Sequence, residues 1–186
     1  SVSPGTTTKP PKATGTPDTE RRLDVEVKDV AIDEIALVAG ARRQPAESDV
    51  VNNPSSGLYA MRLNPLAVAP GEQAPPPLVA FRGTEGPDGP DWATNMGSQV
   101  GQRQMHDNAA DIERLMRVEP GQRLALTGHS LGGAEAQIAA SWHPDRVSSL
   151  TTFQSPGINA GAARAIDRSN RDGHMRVDHH RAVGDI

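Results

Sequence analysis

The segment QRLALTGHSLGG, residues 122–133, limits what this chain of 186 residues can fold into more than any other stretch. It begins as a short apolar run of the kind that forms a buried strand, and it continues into LGGAEAQIAASW, which is typical of a helix. The pattern G-x-S-x-G lies between them and is typical of a sharp, strained strand-to-helix turn that raises its serine out of the sheet. The sequence therefore predicts such a turn at Ser130.

Two glycines and one backbone amide define the expected surroundings of Ser130. Gly128 and Gly132 stand two residues away on either side, where the arriving strand and the departing helix leave no room for a Cβ. The backbone N–H of Leu131, at the start of the helix, would face the position where a negatively charged oxygen forms during acyl transfer.

The stretch LALTGHSLGGAEAQIAA resembles the nucleophile region of the class 3 lipases, a branch of the α/β-hydrolases. Glu135 departs from the more apolar pattern of that family, and we expect this difference to affect helix packing rather than chemistry. Two further blocks resemble the same family: FRGT with the following DWATN, and QSPG after a predicted strand. The resemblance implies that Ser130 is a nucleophile on which an acyl-enzyme forms, with no cofactor.

Thr84 and Asp185 are the other site residues that the resemblance implies. Thr84 follows the glycine of FRGT and would contribute its backbone N–H and hydroxyl to an oxyanion hole, together with Leu131. Asp185 lies in the terminal GDI segment after a predicted strand and would be the acid of the triad. Without the resemblance, a turn threonine and a loop aspartate are the simpler interpretations of these two residues.

The catalytic base is not located by the sequence. All six histidines precede Asp185, and the sequence ends at Ile186. Because α/β-hydrolases carry Ser, then Asp or Glu, then His along the chain, the resemblance implies a base downstream of this sequence, on a missing last strand and histidine segment. In that case the isolated chain would keep only residual activity. His179 or His180 is the alternative base, in reversed chain order.

The order of predicted elements indicates the fold. Residues 1–22 are rich in Pro and Thr, which predicts a disordered linker to an upstream domain, and residues 23–186 form the predicted folded domain. Strands and helices alternate through this domain, which predicts an α/β-hydrolase-type α/β fold with a largely parallel sheet and helices on both faces. The individual predictions are a short strand and a helix within 23–43, strands at 57–63, 78–81, 123–128 and 147–153, helices at 105–118, 131–142 and 158–168, and a strand from 174.

Composition excludes several classes of protein. A net charge of −4 at pH 7 gives no electrostatic case for nucleic-acid binding, and the lack of cysteine excludes disulfides and thiol catalysis. No apolar run approaches a membrane span, and the N-terminus does not resemble a secretory signal. We expect no metal site, because alternation along the last predicted strand divides its acidic and imidazole side chains between two faces.

These observations predict a serine carboxylic-ester hydrolase that acts on acylglycerols or phospholipids. A Pro- and Thr-rich leader without a signal peptide also suits the lipase module of a bacterial effector or toxin, exported by another route. Expected partners are an ester substrate, a complementing C-terminal fragment or an inhibitor protein, and a membrane surface contacted peripherally. Two alternatives remain open: a hydrolase-fold binding module without turnover, and a hydrolase of amides or thioesters.

Overall fold

Six strands form one sheet in the described part of the computed structural model, which comprises residues 43–83 and 99–181. All of these residues belong to the unit Ala31–Ile186. The strands are β1 (Arg43–Asn53), β2 (Leu58–Pro65), β3 (Leu78–Arg82), β4 (Leu124–His129), β5 (Val147–Phe153) and β6 (Arg176–His180). The same residues contain four helices, namely α1 (Gln99–Asp107), α2 (Ala109–Leu115), α3 (Leu131–Trp142) and α4 (Ala160–Arg171).

The strands lie in the sheet in the order in which they occur in the chain, from β1 to β6. The first three are antiparallel neighbours, whereas β3, β4, β5 and β6 run parallel to one another. The predicted α/β class with a largely parallel sheet is therefore confirmed. The carboxyl ends of the four parallel strands meet at one edge of the sheet, where α/β proteins place their ligands.

Apolar side chains form a core on each face of the sheet. On one face, residues from all four helices pack against Leu58, Phe81, Leu126 and Leu150. On the other face, the buried cluster consists of strand residues such as Leu63, Leu78 and Ala125. The strand and helix predicted within 23–43, and the linker predicted for 1–22, lie outside the described residues.

The single helix predicted over 105–118 is wrong, because two helices meet there at Asn108. The Asn108 side chain donates to the Gln104 carbonyl over 2.7 Å and to Ser56 Oγ over 2.9 Å, and it accepts from Asn53 over 2.7 Å. These bonds fix the junction to the turn between β1 and β2. Ala109, which the helical spacing placed on the buried face, is consequently exposed.

Strand β1 was not predicted at all. Its first half, RQPAES, contains a proline and no apolar alternation, and its pairing with β2 shifts register between Pro45 and Val50. None of the helices within residues 43–83 and 99–181 has the length and apolar character needed to cross a membrane.

Candidate active site

Ser130 occupies the junction between β4 and α3 with an unusual backbone conformation. Its φ is 52° and its ψ is −125°, a region that residues with a side chain rarely adopt. The Ser130 N–H donates to the carbonyl oxygen of Phe153 at the end of β5 over 2.9 Å, and the Ser130 carbonyl accepts the N–H of Gly133 over 2.9 Å. The strained residue is thus held from both sides by backbone hydrogen bonds.

Glycines allow the helix to leave the sheet at this point. A Cβ at Gly128 would overlap the carbonyl oxygen of Gly132, and a Cβ at Gly132 would overlap the carbonyl oxygen of Phe81. Strand β4 therefore touches the first turn of α3, and that turn touches the end of β3. No residue larger than glycine fits at either position without a shift of backbone.

The end of β3 also approaches the first helical N–H of α3. A Cβ placed on Gly83 would lie 3.3 Å from Ser130 Cβ and 3.6 Å from the backbone nitrogen of Leu131. The first N–H groups of a helix have no intrahelical acceptor and can bind an anion. Thr84 follows Gly83 directly, but it lies outside the described residues.

The two histidines of β6 contact β5, the strand between β6 and β4. His179 Nδ1 and Thr152 Oγ1 are hydrogen-bonded over 2.6 Å, and the His180 ring stacks on Phe153 with 5.0 Å between ring centroids. Asp185 follows Arg181 by four residues and lies outside the described residues. Among the residues that are described, no group of three or more His, Cys, Asp or Glu side chains could hold a metal ion.

Comparison with protein families gives one match. A phospholipase-like family, the Tle-like phospholipase domain, matches residues 28–186. The chain belongs to this family. No curated protein and no solved structure matches the chain significantly.

As a member of the Tle-like phospholipase domain family, the chain is a lipase-like hydrolase. The family indicates a lipid ester as its class of substrate. The match supports the resemblance to lipases that the sequence blocks suggest, but it is to a phospholipase family and does not single out class 3 lipases.

This Tle-like phospholipase domain contains a cavity of about 310 Å³ beside β5 and β6. The described residues that line it are Gln137, Thr152, Ser155, Pro156, Gly157, His179, His180 and Arg181. Gln137 of α3 donates to Ser155 Oγ over 2.7 Å, and the Ser155 hydroxyl donates to the Pro156 carbonyl over 3.1 Å. These bonds fix the loop after β5 against α3.

Burial and charge act on three titratable groups of the Tle-like domain near α3 and the cavity. Burial lowers the pKa of His179, and the nearby positive charge of Arg181 lowers it further. Burial also lowers the pKa of His129, which precedes Ser130. Glu135 on α3 is only 1% exposed, and burial raises its pKa to about 9, so its side chain is a neutral acid at pH 7.

The sequence placed Gln154 in the QSPG block but predicted neither its backbone conformation nor the contacts of the cavity. Gln154 has a φ of 47°, so the ends of two adjacent strands, β4 and β5, both carry a non-glycine residue at positive φ. The QSPG block was the available signal, since it resembles a lipase block that lies at the rim of the active site. The Thr152–His179 bond had no signal in the sequence, because it depends on the register between β5 and β6.

Proposed function

We propose that this Tle-like domain is a serine hydrolase that cleaves phospholipid esters through an acyl-enzyme on Ser130. The conformation of Ser130 between a buried parallel strand and α3 carries the proposal, because strained non-glycine residues of this kind persist mainly where function requires them. Its position at the carboxyl edge of the sheet, where α/β enzymes bind substrates, supports the proposal.

The oxyanion of the acyl-transfer intermediate would be held by backbone amides. The proximity of Gly83, which precedes Thr84 in the chain, to the backbone nitrogen of Leu131 supports this proposal. Thr84 and Leu131 are the proposed donors, as in class 3 lipases. Loss of one such donor typically costs about 3 kcal/mol of transition-state stabilisation.

Asp185 is the proposed triad acid, because it follows β6, two strands away from the strand that carries Ser130. The base is proposed to come from a segment beyond Ile186, and His179 or His180 is the alternative. The partner of His179 Nδ1 is a threonine hydroxyl rather than the carboxylate that a triad base has, and the His180 ring stacks on Phe153, which favours the first assignment. We further propose a role as the lipase module of a bacterial effector or toxin, which the match to the Tle-like phospholipase family supports.

Labelling with a fluorophosphonate probe, followed by intact-mass and peptide mass spectrometry, tests the nucleophile. We expect one adduct on Ser130 in the protein as it exists in the cell, none in Ser130→Ala, and an unchanged adduct in Ser141→Ala, whose serine bonds to a carbonyl inside α3. A folded protein that is not labelled at Ser130 would contradict the proposal and favour a binding module without turnover.

Fatty-acid release tests the bond that is cleaved. Vesicles of phosphatidylglycerol should yield free fatty acid with the wild type and none above background with Ser130→Ala. Turnover of an amide or thioester analogue in preference to the phospholipid would contradict the substrate assignment but not the nucleophile. Asp185→Asn against His179→Gln then separates the two assignments of the triad, since only true members should reduce kcat by orders of magnitude.

A further inference from the structure

The cavity beside β5 and β6 lies at the same edge of the sheet as Ser130. Thr152, near the end of β5, and His179, near the end of β6, both line it. The hydrogen bond from the Ser130 N–H to the Phe153 carbonyl holds the ends of β4 and β5 side by side. Two strand spacings, roughly 10 Å, therefore separate the Ser130 backbone from the β6 side of the cavity.

The charge of the cavity lining is suited to an anion. Arg181 brings a permanent positive charge, and no Asp or Glu is among the described residues that line the cavity. The carboxylates of Asp167 and Asp178 lie near His179 and act to raise its pKa, and that of Asp178 accepts a hydrogen bond from Arg176 over 2.7 Å. Within the described residues Arg181 itself forms no ion pair, so its guanidinium is not committed to a partner there.

The buried wall of the cavity is already internally hydrogen-bonded. Ser155 is bonded to Gln137 and to the Pro156 carbonyl, and Thr152 is bonded to His179 Nδ1. The last bond fixes the imidazole and leaves Nε2 for a ligand. A site with a rigid polar wall and a guanidinium at its side is the usual arrangement for phosphate recognition.

The guanidinium of Arg181 in the lining favours an anionic group as the ligand of this cavity. We propose that this cavity binds the phosphate of a phospholipid headgroup, with Arg181 as its principal ligand and His179 as a second donor. The inference rests on the proposed function, because it places the phosphate of a substrate whose ester group reaches Ser130.

Direct binding tests the inference without requiring catalysis. The Ser130→Ala protein is titrated calorimetrically with glycerophosphoglycerol, a soluble headgroup analogue. Arg181→Gln in this background should weaken binding about tenfold or more, since it removes a charge-assisted hydrogen-bond donor. Arg176→Gln is the matched control, because Arg176 begins β6 at the end remote from the cavity, and it should bind as the parent does.

Competition separates a lipid headgroup from free phosphate. Dihexanoyl-phosphatidylglycerol and inorganic phosphate should both displace the analogue, the lipid at lower concentration. Displacement by phosphate alone would overturn the lipid assignment. Absence of binding to the Ser130→Ala protein, or equal binding with and without Arg181→Gln, would overturn the site itself.

Kinetics on the otherwise wild-type protein give a second readout. The ratio of kcat/KM for dihexanoyl-phosphatidylglycerol to kcat/KM for p-nitrophenyl butyrate should fall about tenfold in Arg181→Gln, mainly through KM for the phospholipid. An unchanged ratio would contradict the inference. Failure of the proposed function is distinguishable, since Ser130 would then not label with the fluorophosphonate probe while the calorimetric result would be unaffected.

Discussion

Gly133 in the first turn of α3 lies directly against Ser155 in the loop after β5. A Cβ at Gly133 would lie 2.6 Å from Ser155 Cβ and 2.8 Å from Ser155 Oγ. Ser155 is buried and hydrogen-bonded to Gln137, so it cannot move aside without loss of that bond. The helix that follows Ser130 is therefore fitted to the loop that borders the cavity, and a single methyl group would disturb both.

Gly133→Ala should lower the free energy of unfolding by about 2 kcal/mol, because it overpacks this contact. Urea denaturation of the full chain measures the loss. Gly101→Ala is the control, since a Cβ at Gly101 meets α3 side chains at an ordinary 3.5 Å and should cost little or stabilise α1.

Ser155→Gly provides a sharper check of the same contact. The double variant Gly133→Ala/Ser155→Gly removes the clashing Cβ, so it should be more stable than the sum of the single changes predicts, with a coupling of about 1 kcal/mol. If the stability effects of the two single changes simply add, the side chains at positions 133 and 155 do not limit each other's size.

Glu135 should make the protein less stable as the pH rises. Its pKa is about 9 in the folded chain against an ordinary value of 4.5, so the folded state holds the proton more tightly and stability falls between those pH values. Glu135→Gln keeps the shape without the titration, and it should gain roughly 3 kcal/mol over the wild type at pH 7 but little at pH 4.5. Denaturation curves at several pH values measure this difference.

Glu113 should have the opposite effect to Glu135 and make the protein more stable as the pH rises. The hydrogen bond from Arg146 is the main reason that its pKa lies below 4.5, and the charge of His143 lowers it further. The stabilisation that the ionised Glu113 carboxylate gives the folded state is therefore fully present above the ordinary pKa. It is lost as the pH falls through the pKa that Glu113 has in the folded state. Glu113→Gln should destabilise the protein at neutral pH and lose that effect in acid.

For Glu135→Gln, a gain in unfolding free energy that does not change with pH would contradict the prediction that the Glu135 pKa is raised in the folded state.

The strand-to-helix turn at Ser130 was predictable because its local geometry requires glycine on both sides of the serine, and those glycines can be identified in the sequence. The break at Asn108 was not, since Met105, Ile112 and Met116 are all buried and continue the apolar spacing across it. The break depends on bonds to Ser56 and Asn53, which are distant in sequence.

The burial of Glu135 and the Thr152–His179 bond could not be predicted from the sequence for a similar reason. The sequence identified Glu135 as unusual for its helix, but only tertiary packing decides whether its carboxyl group reaches solvent. Elements and motifs that are fixed by neighbours in sequence could thus be predicted, whereas contacts that join distant strands could not.

Arg62 should stabilise the C-terminal end of α2. Its guanidinium donates to the Leu115 carbonyl, which has no intrahelical partner at the helix end, over 2.8 Å, and to the carbonyl of Arg117 just beyond the helix. Arg62→Met keeps the apolar stem and should cost about 2 kcal/mol of unfolding free energy, with faster amide exchange in α2. Arg103→Met, which removes an exposed arginine paired with Asp107, should cost much less. Equal costs would show that the carbonyl bonds of Arg62 contribute nothing.

His179 should titrate below the ordinary value for histidine, and its neighbours should move its pKa in opposite directions. Burial is the largest cause of the lowered pKa, and the charge of Arg181 adds to it, whereas the carboxylates of Asp167 and Asp178 act in the opposite sense. Arg181→Gln should therefore raise the pKa of His179, and Asp178→Asn should lower it. Imidazole resonances followed by NMR across the acid range measure both shifts. A fall of the pKa in Arg181→Gln would show that the guanidinium does not lie beside the ring, and it would remove the charge on which the phosphate site depends.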